Sequence, residues 1–183
     1  MVRIEVQLLE NRLVVWNTED GRKLFRMGFY GKPLGVPKPK DASFDAPLIL
    51  DLIEGLYLLE KGVIRVVKPD GREVDAEELR EVARSLYERF DMKYLVYKDL
   101  RDRGLIATPG IKYGCDFAVY RKGPGIDHAP YIVHVRSRDE PLEAPDVVRS
   151  GRLATTVRKT FITAIPNLED GKVTYVGFRW WRP

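Results

Sequence analysis

The chain has 183 residues, 44% hydrophobic and 32% charged, which is the composition of a folded soluble protein and excludes a disordered one. Apolar runs such as Leu48-Ile49-Leu50 and Leu56-Tyr57-Leu58-Leu59 are far too short to span a bilayer, and Cys115 as the single cysteine excludes an internal disulfide and a cysteine-based metal cluster, leaving the cytosol as the default compartment. The net charge of +4 is uneven, −2 over residues 1–92 and +6 over residues 93–183, so the C-terminal half suits a polyanionic partner.

Met1-Val2-Arg3-Ile4-Glu5 runs straight into an alternating pattern, so no signal peptide is expected. Ile4–Leu8 and Leu13–Trp16 flank Glu10-Asn11-Arg12 and predict a β-hairpin. Arg22–Tyr30 reads as helical. Gly31–Pro47 then carries Pro33, Pro37, Pro39 and Pro47 beside Lys32, Lys38 and Lys40; proline at this density excludes regular helix or central strand. A loop this long inside a compact domain is usually functional or mobile. Leu48–Lys61 has apolar residues at 49, 52, 53, 56 and 59 and stops at Gly62, predicting an amphipathic helix. Val63–Val67 and Glu73-Val74 form a hairpin-like unit around Lys68-Pro69-Asp70-Gly71.

Asp75 caps the clearest helix, with Glu78 at the capping-box position and Leu79, Val82, Ala83, Leu86, Tyr87 and Phe90 on one face. A break near Asp91-Met92 precedes a second helical run, Tyr94–Arg103. The domain boundary is expected near residue 90, giving an N-terminal mixed domain over 1–90 and a C-terminal domain over 91–183. Strands are predicted at Ile111–Gly114, Asp116–Tyr120, Tyr131–Arg136, Phe161–Ile165 and Val173–Phe178, with a helix over Pro145–Lys159. The fold class is therefore a two-domain α/β (α+β) protein, a small mixed N-terminal domain followed by a mixed-sheet α/β domain.

Chemistry concentrates in the basic half. Tyr113-Gly114-Cys115-Asp116-Phe117-Ala118-Val119-Tyr120, then His128, then Lys159 supply a phenol, an imidazole and an ammonium. Together these can cleave RNA without a metal, with the RNA's own 2′-OH as nucleophile. Such a transesterification needs a base for the 2′-OH proton, an acid for the departing 5′-oxygen and a cation for the pentacoordinate phosphorus. His128 suits the acid, since the reference imidazole pKa of about 6.5 lies nearest neutrality, and it sits in a loop entering a strand. A lone loop histidine is ordinarily a surface residue. His134, inside Tyr131-Ile132-Val133-His134-Val135, reads as a packing or edge residue. Tyr120 and Lys159, taken alone, read as a surface tyrosine and a helix-terminal lysine. The (D/E)-x-K triplet of metal-dependent nucleases does not follow Asp116, and a Walker A loop and a Rossmann glycine fingerprint are both missing.

The wording of the segment resembles a known family. Lys112-Tyr113-Gly114 precedes Asp116-Phe117, Val119-Tyr120 ends a strand, His128-Ala129-Pro130-Tyr131-Ile132-Val133 opens the next, and Arg152 precedes Val157-Arg158-Lys159. These motifs resemble the archaeal tRNA-splicing endonucleases, closely over residues 92–183 and more loosely before. The Tyr120–His128 interval is slightly shorter than the family's. The resemblance implies a C-terminal nuclease-like domain acting as the catalytic subunit, with Tyr120 as general base, helped by the nearby cations Arg121, Lys122 and Lys159. His128 would be the acid and Lys159 the stabiliser of the phosphorane. It further implies cutting of precursor tRNA at bulge–helix–bulge junctions, leaving 2′,3′-cyclic phosphate and 5′-OH ends, with no metal or other cofactor.

For RNA binding, relatives sandwich a flipped base between two arginines. Arg152 matches the first; Arg179 and Arg182 compete for the second, with Arg179 favoured. Lys32, Lys38 and Lys40 suit phosphate contacts. The Gly31–Pro47 loop resembles the insertion of crenarchaeal members that pair with a structural paralogue, which implies an α₂β₂ assembly over a homotetramer. The acidic stretch Asp139–Asp146 matches a loop that reaches the opposite subunit pair in relatives. The alternative role is a non-catalytic RNA-binding or scaffolding subunit of the same assembly. Such a paralogue would be expected to lose one or more of Tyr120, His128 and Lys159, and this chain retains all three.

Overall fold

The computed structural model describes residues 3–178 apart from 38, 40, 112, 113 and 158. It divides into two compact units, Met1–Phe90 and Asp91–Pro183.

In the first unit the hairpin β1 (Ile4–Leu9) and β2 (Arg12–Val15) forms as the alternation predicts. Helix α1 runs Thr18–Gly28, four residues earlier than the apolar pattern suggests. Asn17 decides this, because its side chain accepts a hydrogen bond from the Asp20 N–H at 3.0 Å and so caps the helix. The predicted helix over Leu48–Lys61 is split. Leu48–Leu50 is strand β4, paired with β2 and with the two-residue strand β3 (Lys32–Pro33). Only Leu52–Glu60 is helical, as α2, where Asp51 and Glu54 close a capping box. Leu48 and Leu50 are buried almost completely in the sheet, and that burial outweighs the helical periodicity they continue.

Strand β5 (Ile64–Val67) lies parallel to β1 and antiparallel to β6 (Glu73–Val74), completing the order β3-β4-β2-β1-β5-β6. Helix α3 (Ala76–Leu86) starts at the expected cap, with the Asp75 carboxylate accepting from the Glu78 N–H at 2.8 Å. The Glu78 side chain turns instead to Lys68 and Arg72.

The proline-rich loop is rooted on both limbs. At its start the Gly31 N–H donates to both carboxylate oxygens of buried Glu54, at 3.2 Å each. Gly31 has φ +73°, and a Cβ there would meet the Ile49 carbonyl oxygen at 2.8 Å, so only glycine fits. On the returning limb Phe44 is buried edge-on to Phe25, ring centroids 5.6 Å apart, and its carbonyl accepts from Arg22 Nε at 2.8 Å.

The second unit opens with α4 (Phe90–Asp102) and a five-stranded sheet in the order β11-β10-β9-β8-β7. Its strands are β7 (Ile106–Pro109), β8 (Phe117–Tyr120), β9 (Tyr131–Val135), β10 (Thr160–Asn167) and β11 (Lys172–Phe178). Of the strand expected at Ile111–Gly114, Ile111 and Gly114 belong to no strand and residues 112 and 113 lie outside the described residues; the strand before β8 is Ile106–Pro109. Gly110 approaches Cys115 so closely that a Cβ would lie 2.7 Å from its sulfur, and Ile111 is 85% exposed. Gly110 and Cys115 thus stand close together where antiparallel β7 ends and β8 begins, and those strands take the burial.

Helix α5 (Ala144–Val157) carries the chain from β9 back to β10, which pairs with β9 in parallel. Tyr97 of α4 packs on Phe117 of β8, ring centroids 5.9 Å apart, and Tyr97 and Ile132 are almost fully buried. Truncating Ile132 to alanine would cost about 2–5 kcal/mol. No helix among the described residues is long and apolar enough to cross a membrane.

Candidate active site

The parallel crossover makes β9 and β10 begin at the same end of the sheet, and antiparallel β8 finishes there. Register tightens the relation: Val119 lies opposite Tyr131, and Tyr131 opposite Thr160. Tyr120, the segment just before Tyr131 and the residue just before Thr160 are therefore neighbours on three adjacent strands. Strands spaced by roughly 4.8 Å set the outer two about 10 Å apart, a span that one phosphodiester and its flanking sugars can bridge.

Two bonds fix this end. The Thr160 N–H donates to the Pro130 carbonyl at 2.8 Å, and Lys159 Nζ donates to the Ala129 carbonyl. Lys159 does not close α5, which ends at Val157; it stands in the short link into β10. Tyr120 and Lys159 are half-buried, while His128 is exposed. The chain positions of Tyr120, His128 and Lys159 thus fall at one sheet end, and Ala129, beside His128, is buried and bonded to the lysine.

The loop between Tyr120 and His128 holds Arg121, expected above only as a cation beside Tyr120, and Asp127, for which the sequence carried no expectation. Arg121 donates to the Tyr131 hydroxyl and lies over its ring, 5.5 Å from the centroid. That bond raises the arginine's already high pKa. The Asp127 carboxylate accepts three backbone N–H groups of the same loop. The available signal was the aspartate in Gly123-Pro124-Gly125-Ile126-Asp127, a residue type that readily bonds neighbouring backbone in turns.

His134 differs from its expected place. It stands in β9, an interior strand of the sheet, and is neither packed away nor at an edge. Its Nδ1 is 3.1 Å from Asp116 Oδ2, and the other Asp116 oxygen is 3.2 Å from Lys93 Nζ. Burial pushes the Asp116 carboxyl up, but the bonds from His134 and the Val135 N–H, with the Lys93 charge, more than offset it and hold it below the usual carboxylate value. Burial also lifts the neighbouring Cys115 thiol to about 11, with the Asp116 charge adding to it. This cluster lies at the opposite end of β8 from Tyr120.

Arg152 is exposed on α5, and Lys32 is exposed in β3 of the first unit. Lys38, Lys40, Arg179 and Arg182 lie outside the described residues, as do Lys112, Tyr113 and Arg158 of the motif. In the acidic stretch, Asp146 and Glu140 pair within the chain with buried Arg136, at 3.0 and 3.4 Å, and the Pro141 carbonyl accepts from the same guanidinium at 2.6 Å.

Known proteins of one family match both parts of the chain. Residues 90–175 match the catalytic C-terminal domain of tRNA intron endonuclease, and residues 4–80 match the N-terminal domain of the same family. A tRNA-splicing endonuclease of Hyperthermus butylicus is 47% identical over 180 residues, covering 98% of this chain and 99% of its own length. One from Sulfurisphaera tokodaii is 42% identical over 95% of this chain and 97% of its own length. One from Saccharolobus islandicus is 38% identical over 97% and 98%. With both domains matched and full-length relatives at this identity, the chain belongs to the tRNA intron endonuclease family and is an enzyme of tRNA splicing.

Proposed function

We propose that this chain is the catalytic subunit that removes introns from precursor tRNA by cutting at bulge–helix–bulge junctions. The reaction is a transesterification. The 2′-oxygen of the nucleotide before the cut attacks the adjacent phosphorus, the bond to the 5′-oxygen breaks, and the ends are a 2′,3′-cyclic phosphate and a 5′-OH. Tyr120 takes the 2′-OH proton, His128 gives one to the leaving 5′-oxygen, and Lys159 stabilises the charge on the phosphorane. The observation that carries this reading is the Lys159–Ala129 bond, which draws the start of β10 to the residue beside His128, at the sheet end where Tyr120 closes β8.

Arg152 and Arg179 are the proposed stacking pair for a bulge base, and Lys32, Lys38 and Lys40 add phosphate contacts from the proline-rich loop. The subunit works in the cytoplasm in an α₂β₂ assembly with a structural paralogue, since a substrate with two bulges needs two active sites related by a two-fold axis. The domains divide the work, with 91–183 carrying the chemistry and 1–90 the loop.

The test is cleavage of a bulge–helix–bulge RNA in excess EDTA by this chain, alone and with a candidate partner subunit. Undiminished cleavage giving cyclic phosphate ends is expected. Strict dependence of the chemical step on Mg²⁺ would overturn the mechanism.

A further inference from the structure

We infer that Asp127 is a positioning residue for His128: its carboxylate gathers the backbone N–H groups of Arg121, Lys122 and Gly123 and so fixes the loop that joins Tyr120 to His128. The inference rests on the reading of His128 as the proton donor.

The geometry is specific. One carboxylate oxygen accepts from the Arg121 and Lys122 N–H groups, each at 3.2 Å, and the other from the Gly123 N–H at 2.8 Å. The Gly123 carbonyl returns the relation, accepting from the Ile126 and Asp127 N–H groups at 3.1 Å each. The segment is thus folded back on itself, its turn made by Gly125 at φ 85°. Loop N–H groups in a surface turn would otherwise be met by water, and an anionic acceptor shared by three of them is charge-assisted and directional.

Partial burial opposes the charge on Asp127, but the N–H groups of Gly123, Lys122 and Arg121 more than offset it and hold its carboxyl below the usual value. The acceptor is therefore ionised at neutral pH.

The consequence falls on His128, whose two chain neighbours are both held. On one side Asp127 ties it to the residues that follow β8; on the other, Ala129 is buried and bonded to Lys159. The Arg121–Tyr131 bond ties the same loop across β8 and β9. The imidazole itself stays exposed, so substrate can reach it while its backbone is fixed. A proton donor displaced by 1 Å can cost up to about 10²-fold in rate, which makes such a tie worth having in a loop without regular structure.

The experiment compares H128A, D127A and D127N in the assembled enzyme, by single-turnover cleavage of a bulged precursor tRNA and by RNA affinity. Amide hydrogen exchange of the full chain reports the loop itself. D127A is expected to slow the single-turnover rate about 10- to 100-fold, with affinity within about twofold and faster exchange at Arg121, Lys122 and Gly123. D127N keeps one acceptor oxygen and should fall between D127A and the unmodified enzyme. A wild-type rate for D127A beside an inactive H128A overturns the positioning role. Equal losses in D127A and D127N accompanied by changed affinity also overturn it, because they would report the charge and not the bonds. An active H128A would sink the reading of His128 itself, whatever the Asp127 variants do. Should D127A fail to fold, D127N decides: a wild-type rate despite faster exchange at Arg121–Gly123 overturns the inference.

Discussion

Lys159 Nζ donates to the carbonyl oxygen of Ala129, the residue directly after His128. The bond joins the starts of two parallel strands separated in the chain by the α5 crossover. Lys159→Ala should lower the single-turnover cleavage rate by about 10²–10³-fold, the scale for removing one donor to a developing oxyanion. Unchanged cleavage would reduce Lys159 to a structural link between β9 and β10.

The two histidines should separate cleanly. His128→Ala is expected to slow cleavage about 10²–10⁴-fold, the usual range for losing a general acid, with RNA affinity little changed. His134→Ala should stay active, because His134 bonds Asp116 at the far end of β8. Filter binding and single-turnover kinetics on both variants check this, and exchanged effects would identify the wrong histidine.

Asp116 predicts an acid-limb signature. Its carboxyl is held below the usual value in the folded protein, so between the folded and unfolded pKa values the unfolded chain binds more protons. Its contribution to stability is present above the unfolded value of about 3.9 and is lost as pH falls through the folded one. Asp116→Asn should cost about 1.5–3 kcal/mol at pH 7, the scale for hydrogen bonds to a charged group. The gap to the unmodified protein should narrow below pH 4, as measured by urea unfolding across pH. A gap constant down to pH 2 would count against the cluster as a stabilising unit.

The proline-rich loop offers a test that leaves the fold alone. Its limbs are held by Glu54 beneath Gly31 and by Phe44 against Phe25, so changing Lys32, Lys38 and Lys40 to alanine should barely move the melting temperature. If these lysines contact phosphates, the triple variant should flatten the salt dependence of RNA binding, with a log–log slope smaller by up to about 2–3. Cleavage of single-bulge substrates should suffer more than that of the symmetric two-bulge substrate. Equal loss on both, or none, would reject a selective role.

Local chemistry made much of this protein legible from its residues. Asp75 caps α3 where its side chain can meet the Glu78 N–H, and alternation marks the β1–β2 hairpin. Leu48–Leu50 was not legible as a strand, because three apolar residues ahead of a helix continue its periodicity. Only the open place between β2 and β3 makes them β4. Likewise Ile106–Pro109 gains its identity as β7 from pairing with β8.

By itself the sequence determined the mixed α/β class, the family and the residue types on which the proposed chemistry rests, since composition, periodicity and motif wording are local properties of the chain. Tertiary structure alone decided that Tyr120, Lys159 and the segment that carries His128 stand at one sheet end, because strand register and the parallel crossover are set by pairing between distant segments. It alone paired Asp116 with His134 and Lys93, and turned the Asp127 carboxylate onto the N–H groups before it. Hydrogen-bond partners depend on where backbone donors end up in space, and no residue spacing records that.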